Sequence, residues 1–413
     1  MKLGLIGHPL GHSWSPQIHG FLIHEKYGKW DIEEKDLDDF FAKKDFDGIN
    51  ITIPYKQKAI PYMDEMDPAA KAIGAINCVV NRKGKLKGYN TDYLGFRNML
   101  VANEFDPKGK VIAVLGTGGA SKAVSKALED MEGKVVHVSR KPKNEKQISY
   151  EDLYQRAEEF RWIVNATPVG MAPDTEKAPV DPGKFPHLEA VVDIIANPLC
   201  TKLAFDAKVR KIPYLGGFEM LVRQALAADE IFLDQKLDDD LVKPCMNALL
   251  KEKRNLVLIG MPTSGKSTIA KYLHEKTGLD VMEMDGEIEK ELGTSIRQCF
   301  AEKGETYFRQ KETELCAKLS KEEGKIISCG GGVIKKEENM RLLNHNGLII
   351  WLKRDLSHLF ATDSRPLTGD EAYMKRLYEE RRGLYENYSD IQVDNNGRIE
   401  TAVNEILKRT GWE

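Results

Sequence analysis

The sequence lacks most of the features that mark secreted, membrane or nucleic-acid-binding proteins. Its 413 residues hold six cysteines, Cys78, Cys200, Cys245, Cys299, Cys316 and Cys329, and none of them falls in a C-x-x-C pair. That excludes a disulfide framework or zinc ribbon and predicts reduced thiols in a cytoplasmic protein. No run approaches the roughly 20 apolar residues of a membrane span. The chain opens on a strand-like segment, Lys2 to Gly7, without an apolar leader, so neither a membrane partner nor export is expected. Charge of one sign is also scarce. Sixty-one Lys and Arg against 64 Asp and Glu leave a net −3 and no basic block, which argues against nucleic acid. Small metabolites are the expected ligands. With domains of about 100 to 200 residues each, the length predicts two to three, and no long Gly/Ser or Pro tether separates them.

What the chain does have is glycine at phosphate-binding spacing. Gly260-Met-Pro262-Thr263-Ser264-Gly265-Lys266-Ser267 fits G-x-x-x-x-G-K-[ST], with Leu256 to Ile259 as a buried strand before it and Ile269, Tyr272 and Leu273 at helical spacing after it. Small residues let successive backbone N–H groups converge on phosphate oxygens at a helix N-terminus, where the macrodipole favours negative charge. Lys266 is expected to reach the β- and γ-phosphates and Ser267 to ligate Mg²⁺, with Thr268 in the same cradle. ATP and Mg²⁺ are therefore expected. Downstream, Val281-Met-Glu283-Met-Asp285 is read as the end of a strand that turns two carboxylates to one face.

A second glycine turn lies upstream. Val111 to Leu115 reads as a strand, Gly116-Thr-Gly118-Gly119-Ala120-Ser121 as a dinucleotide turn, followed by a helix to about Glu132 and a strand from Val135 to Val138. About twenty residues beyond such a turn, NAD-binding folds place an acid on the ribose. Here the chain has Ser139-Arg140-Lys141, whose cations attract a 2′-phosphate. NADP(H) is expected over NAD.

The first 103 residues concentrate small polar side chains after turns: Ser13-Trp-Ser15-Pro16, then Asn50-Ile-Thr52-Ile-Pro54-Tyr-Lys56, Gly74-Ala75-Ile76-Asn77 and Asn90-Thr91-Asp92. Together they can surround a polyhydroxylated ring. Lys56 and Asp92 are the charged members, so they are expected to handle the proton that a ketone needs when it accepts hydride. In order and spacing this set resembles the shikimate dehydrogenase family, whose signatures are H-S-x-S-P, N-x-T-x-P-x-K, G-A-x-N and N-T-D. The resemblance implies that Ser13 and Ser15 hold a substrate carboxylate, that Thr52, Asn77 and Asp92 hold ring hydroxyls, and that Lys56 is the catalytic lysine. It extends through Trp162 to Met171 and Ala190 to Ile194 to Gly216-Gly217-Phe-Glu-Met220-Leu-Val-Arg-Gln224, implying that Gly217 adjoins the cofactor and Gln224 the substrate. One departure is Ala196, where the family usually has tyrosine. It bears on the choice of polyol acid.

The last 160 residues, with Gly304-Glu305-x-x-Phe308-Arg309-x-x-Glu312, Gly330-Gly331-Gly332, Ser364-Arg365-Pro366-Leu367 and Arg381 before Tyr385, resemble shikimate kinase. That implies Asp285 as acceptor of the hydroxyl proton, Arg309 and Arg381 as grips on the shikimate carboxylate, Gly331 and Gly332 as close-approach backbone, and Arg365 as a lid cation over the nucleotide. Glu283 stands where the family usually has aspartate and is expected to help hold the magnesium's water shell. Asp394 and Asn395 fall in the family's adenine-contacting loop. Arg381-Arg-Gly-Leu-Tyr385 keeps the arginine of R-x-P-L-Y and loses its proline.

The expected fold is α/β throughout: a two-lobed N-terminal dehydrogenase, with an α/β substrate lobe and a Rossmann NADP lobe, and a C-terminal P-loop NMP-kinase-like parallel sheet. The expected boundaries are 1–103 completed by 216–240, then 104–215, a linker over 241–254, and 255–413. The expected function is two successive steps, NADPH-dependent reduction of 3-dehydroshikimate to shikimate and ATP-dependent phosphorylation of shikimate. A quinate or relaxed polyol dehydrogenase, or a silent shikimate-binding module, are the alternatives for the N-terminal half, and the oligomeric state is left open.

Overall fold

The computed structural model describes residues 1–11, 13–359 and 371–412. The chain divides into two compact units, residues 1–197 with 212–249 and residues 198–211 with 250–413.

In the first unit, β1 (Leu3–Gly7), α1 (Ser15–Ile23), β2 (Tyr27–Asp31), α2 (Leu37–Lys43), β3 (Gly48–Ile51), β4 (Glu65–Met66), α3 (Pro68–Ile73), β5 (Cys78–Arg82) and β6 (Lys85–Tyr89) form a mixed layer around a six-stranded sheet of order β2-β1-β3-β5-β6-β4. β1 pairs in parallel with β2 and β3, and β5 is antiparallel to β3 and β6. Local signals set the helix ends. Asp67 caps α3 by accepting from Ala69 N, Pro68 starts the helix and Gly74 ends it in the left-handed region. The helix α4 (Thr91–Ala102), capped by Asn90, leads into a second sheet built on β7 (Val111–Leu115).

That sheet is fully parallel. After β7 come α5 (Gly119–Asp130), β8 (Lys134–Val138), β9 (Gln147–Ile148), α6 (Tyr150–Gln155), β10 (Trp162–Asn165), β11 (Ala190–Asp193), α7 (Lys202–Val209), whose residues belong to the second unit, and β12 (Tyr214–Leu215). The strands lie in the order β12-β11-β10-β7-β8-β9. β10 and β11 are buried on both faces, which explains their continuous apolar runs. On α5 the buried residues Ala123, Val124, Ala127 and Leu128 follow helical spacing. The chain reverses strand order beside β7, so the turn after β7 opens into the crevice where such folds bind ligands. The long helix α8 (Gly217–Leu233) then packs on α4 and α1, and α9 (Val242–Leu250) follows, burying Val242 and Cys245.

The second unit is a five-stranded parallel sheet in the order β14-β15-β13-β16-β17. Its elements are β13 (Asn255–Ile259), α10 (Lys266–Thr277), β14 (Asp280–Glu283), α11 (Met284–Leu292), α12 (Ile296–Leu319), β15 (Lys325–Ser328), α13 (Glu337–Asn344), β16 (Gly347–Lys353), α14 (Glu371–Tyr388), β17 (Ile391–Asp394) and α15 (Ile399–Thr410). Leu256, Leu258, Ile269, Leu273, Ile350, Ile406 and Leu407 share one core. Each side chain fully buried there contributes roughly 1.5–3 kcal/mol. α12 is broken at Gly304 (φ 82°, ψ 165°), so the segment bearing Arg309 starts a fresh helical turn.

One local expectation fails. Glu283 and Asp285 do not share a strand face: β14 ends at Glu283, and Asp285 lies in the first turn of α11. Met284 and Ile288, one turn apart, are both buried, and the acidic residues 285 and 287 suit a helix N-terminus. Helical burial thus wins over the two-residue alternation.

Candidate active sites

In the first unit a cavity of about 270 Å³ is lined by Ser13, Ser15, Thr52, Lys56, Asn77, Asp92 and Gln224, together with Ala120, Ala196 and Gly217. Residues spread over more than 200 positions meet because α1, β3, the start of α4 and the start of α8 all end at this crevice. Lys56 Nζ donates to Asp92 Oδ2 at 2.6 Å, and both side chains are mostly shielded from solvent. Asp92 sits in the first turn of α4, where free N–H groups favour an anion. Ser15 N donates to Ser13 Oγ, and the two hydroxyls lie 3.2 Å apart. Asn77 Oδ1 accepts from Thr91 N at 2.6 Å, and Thr91 Oγ1 also reaches Gln224 Oε1 at 3.2 Å. The apolar part of the wall includes Leu5, Ile51, Ile194, Met220 and Leu221, none of which the sequence marked as facing a ligand. Apolar residues near a motif carry no signal of facing a ligand.

The dinucleotide turn follows β7. Gly116 has φ +107°, and a Cβ there would stand 3.0 Å from Ala166 O, so both the turn and the close approach require glycine. Gly118 and Gly119 face open space where α5 begins. The turn's shape and free N–H groups fit a pyrophosphate. Ser121 is buried and its Oγ donates back to Gly116 O at 2.7 Å, so its hydroxyl shapes the turn. Ser139 Oγ accepts from Lys141 N, and Arg140 and Lys141 are exposed at the end of β8, free to meet a 2′-phosphate.

In the second unit the phosphate loop joins β13 to α10. Gly260 and Gly265 have φ +153° and +91°, and Thr263 is held at φ +65°, a strained geometry for a β-branched residue. Lys266 is 6 % exposed, and its Nζ donates to Gly260 O at 3.0 Å and Met261 O at 2.9 Å, which holds the cation inside the loop. Ser264 is buried and its Oγ makes no hydrogen bond, while Ser267 and Thr268 are exposed at the start of α10. This cradle fits nucleotide phosphates. Among the described residues no cluster of His, Cys, Asp or Glu could hold a metal by itself. Mg²⁺ keeps several waters and binds through nucleotide phosphates with one or two protein oxygens, and Ser267 and Glu283 are the residues that would supply them.

The glycine run after β15 links this loop to the remaining residues. A Cβ on Gly330 would fall 2.4 Å from Asp285 Oδ1, one on Gly331 3.1 Å from Pro262 Cδ, and one on Gly332 2.5 Å from Arg309 Nη2. Asp285, Arg309 and the phosphate loop therefore gather around one backbone turn. Arg381 Nη1 and Tyr385 Oη both donate to Gly331 O at 2.8 Å, and the buried Arg381 Nε has no partner. Arg309 Nη1 bonds both oxygens of Glu312 at 3.0 Å, and Glu305 takes its Nε and Nη2. Burial raises the pKa of Glu312, and the Arg309 charge offsets only part of that. The sequence noted Glu312 in a motif without giving it this task of fixing Arg309. Asn395 is buried beside the phosphate loop, with Nδ2 donating to Ser264 O at 2.7 Å. Arg365 lies outside the described residues.

Comparison with known proteins follows the same division. Residues 262–410 match the family model for shikimate kinase, and residues 5–79 that for the shikimate dehydrogenase substrate binding domain. A shikimate dehydrogenase (NADP(+)) of Clostridium perfringens (strain SM101 / Type A) is 38% identical over 264 residues, covering 58% of this chain and 94% of the relative. One of Methanococcus maripaludis is 38% identical over 258 residues, covering 57% and 93%. Among solved structures, the shikimate 5-dehydrogenase of Thermus thermophilus in complex with NADP(H) and shikimate aligns with a TM-score of 0.55 at 31% identity, covering 60% of this chain and 100% of that one. A chorismate mutase/shikimate 5-dehydrogenase fusion protein from Clostridium acetobutylicum aligns with a TM-score of 0.56 at 34% identity, covering 60% and 96%.

Proposed function

Because the chain belongs to the shikimate dehydrogenase family through its N-terminal part and carries a shikimate kinase domain after it, we propose that its two sites act in sequence on one carbocyclic acid. The chain is a bifunctional shikimate-pathway enzyme, with shikimate dehydrogenase (NADP) and shikimate kinase activities. The observation that carries the assignment of residues is the convergence of Ser13, Ser15, Thr52, Lys56, Asn77, Asp92 and Gln224 on one cavity. In this reading residues 1–103 with 216–240 form the substrate lobe, 104–215 the NADP lobe, 241–254 the linker and 255–413 the kinase. The substrates are 3-dehydroshikimate and shikimate. The enzyme is cytoplasmic, without nucleic-acid or membrane partners; no helix among the described residues is long and apolar enough to cross a membrane.

When bound, NADPH supplies the hydride, and ATP with Mg²⁺ supplies the phosphoryl group and neutralises its charge. NADPH would be held by Gly116 to Ser121, by Ser139, Arg140 and Lys141, and by Gly217. Ser13 and Ser15 hold the substrate carboxylate, Thr52, Asn77 and Asp92 hold the ring hydroxyls, and Gln224 adjoins the substrate. Lys56 Nζ delivers a proton to the ketone oxygen while hydrogen-bonded to Asp92. In the kinase, Arg309 and Arg381 orient shikimate by its carboxylate, Asp285 takes the proton from the attacking hydroxyl, and Lys266 would reach the β- and γ-phosphates of bound ATP.

Two assays on the full chain test this: NADPH oxidation with 3-dehydroshikimate and ATP consumption with shikimate. Lys56→Met is expected to abolish the first alone and Lys266→Met the second alone. If each folded variant kept both activities, the assignment would be wrong. Rates with quinate in place of shikimate measure what Ala196 permits in the cavity wall.

A further inference from the structure

Behind the reduction site the first unit buries a pair of ionisable side chains that the chemistry above does not use. His19, on α1, and Asp229, on α8, are both fully buried, and His19 Nδ1 lies 2.6 Å from Asp229 Oδ1. Neither His19 Nε2 nor Asp229 Oδ2 has a hydrogen-bond partner. Burying such a pair costs desolvation that its attraction often fails to repay, so stability alone is a weak reason for its presence. Its position supplies a better one.

The two helices it joins carry facing parts of the cavity wall. Ser15, at the start of α1, lines the cavity with Ser13, and His19 follows four residues later, about 6 Å and one turn along the same face. On α8, Gln224 lines the cavity and Asp229 follows five residues later, about 7.5 Å along. Near the mouth, Trp14 and Phe218 meet edge to face with centroids 5.5 Å apart. That apolar contact sets separation with little control of sliding, whereas a hydrogen bond sets both. The imidazole is held from its other side too: it stacks on Tyr27 at 4.1 Å. Tyr27 Oη donates to Asn50 Oδ1 at 2.6 Å, and Asn50, another cavity residue, donates to Asn77 O at 3.2 Å. The titratable groups facing the pair are Tyr27, Cys78 and Cys245. Burial pushes all three upward, Cys245 to about 12, so they stay neutral.

We propose that His19 and Asp229 are positioning residues of the dehydrogenase: their buried hydrogen bond locks α1 against α8 and so sets the distance between the Ser13 and Ser15 hydroxyls and Gln224 across the substrate. The proposal rests on the dehydrogenase reading of the cavity. Its test is steady-state kinetics of the full chain with Asp229→Leu and Asp229→Asn, the second of which can still accept from the imidazole. Asp229→Leu is expected to raise KM for shikimate about tenfold or more, with KM for NADP⁺ changed by less than about twofold. Asp229→Asn is expected to recover most of the loss. The kinase rate, read from the same molecules, stays at the wild-type value. An unchanged shikimate KM in Asp229→Leu overturns the proposal, as does an equal rise in both KM values or an Asn variant as impaired as the Leu variant. If Asp229→Leu loses NADP⁺ binding through misfolding, His19→Leu and His19→Asn, the latter retaining a donor near the Nδ1 position, carry the same comparison. A wild-type chain with no NADP-dependent turnover of shikimate would instead refute the dehydrogenase reading itself.

Discussion

Replacing Gly332 by alanine separates what the kinase site needs for activity from what it needs for folding. Gly332 has φ −102° and ψ −2°, which alanine adopts without backbone strain. Its new methyl would lie 2.5 Å from Arg309 Nη2, 2.7 Å from Nη1 and 2.9 Å from Cζ. Ordinary contact begins at 3.4 Å, so the guanidinium must retreat from 2.5 Å by about 0.9 Å. It cannot do so freely, because both oxygens of the buried Glu312 hold Nη1 at 3.0 Å and Glu305 holds the other edge. A displacement near 1 Å at a substrate-orienting group can cost about 100-fold in rate, or about 2.7 kcal/mol of transition-state stabilisation. The expected result is a fall of that size in kcat/KM for shikimate phosphorylation. KM for ATP should hold, because Gly331 and not Gly332 abuts Pro262 of the phosphate loop. The dehydrogenase rate should also hold, which distinguishes a displaced guanidinium from a general folding defect. A variant phosphorylating shikimate within about twofold of wild type would refute both the placement of Arg309 and the argument that it is pinned.

The cofactor preference rests on exposed cations, so Arg140→Asp should fold normally yet lose at least about tenfold in the ratio of NADPH to NADH turnover. An unchanged ratio would remove Arg140 from the 2′-phosphate site. Burial raises the folded-state pKa of Asp229 above the ordinary aspartate value. The sign follows: the folded state binds the proton more tightly, so this group's contribution is full below about pH 3.9 and is lost as pH rises through the higher folded value. Chemical denaturation between about pH 4 and pH 7, followed through the loss of dehydrogenase activity, should show Asp229→Asn gaining stability relative to wild type as pH rises. A difference that stays constant with pH would contradict the raised value.

Much of the architecture was legible because local physics wrote it into short segments. Continuous apolar runs such as Val111 to Leu115 and Leu256 to Ile259 must be buried strands, and glycine-rich turns after them match backbone that has to take positive φ beside a phosphate. Polar residues at motif spacing also declared themselves, and seven of those expected to touch substrate line one cavity. The misreading of Glu283 and Asp285 shows the limit of periodicity. Two carboxylates two apart look alike on a strand and across a strand end, and the burial of Met284 and Ile288 decided between them.

By itself, then, the order of residues determined which segments become strands, where phosphate is cradled, and which hydroxyls, amides, lysines and arginines are available for chemistry. Only the tertiary structure decided which of those groups meet. Glu312 pins Arg309, Asn395 braces the phosphate loop through Ser264, and His19 finds Asp229 from 210 positions away. Such partners leave no periodic trace, because a hydrogen bond between distant segments depends on the packing of whole helices and sheets against one another, which no local window of sequence contains.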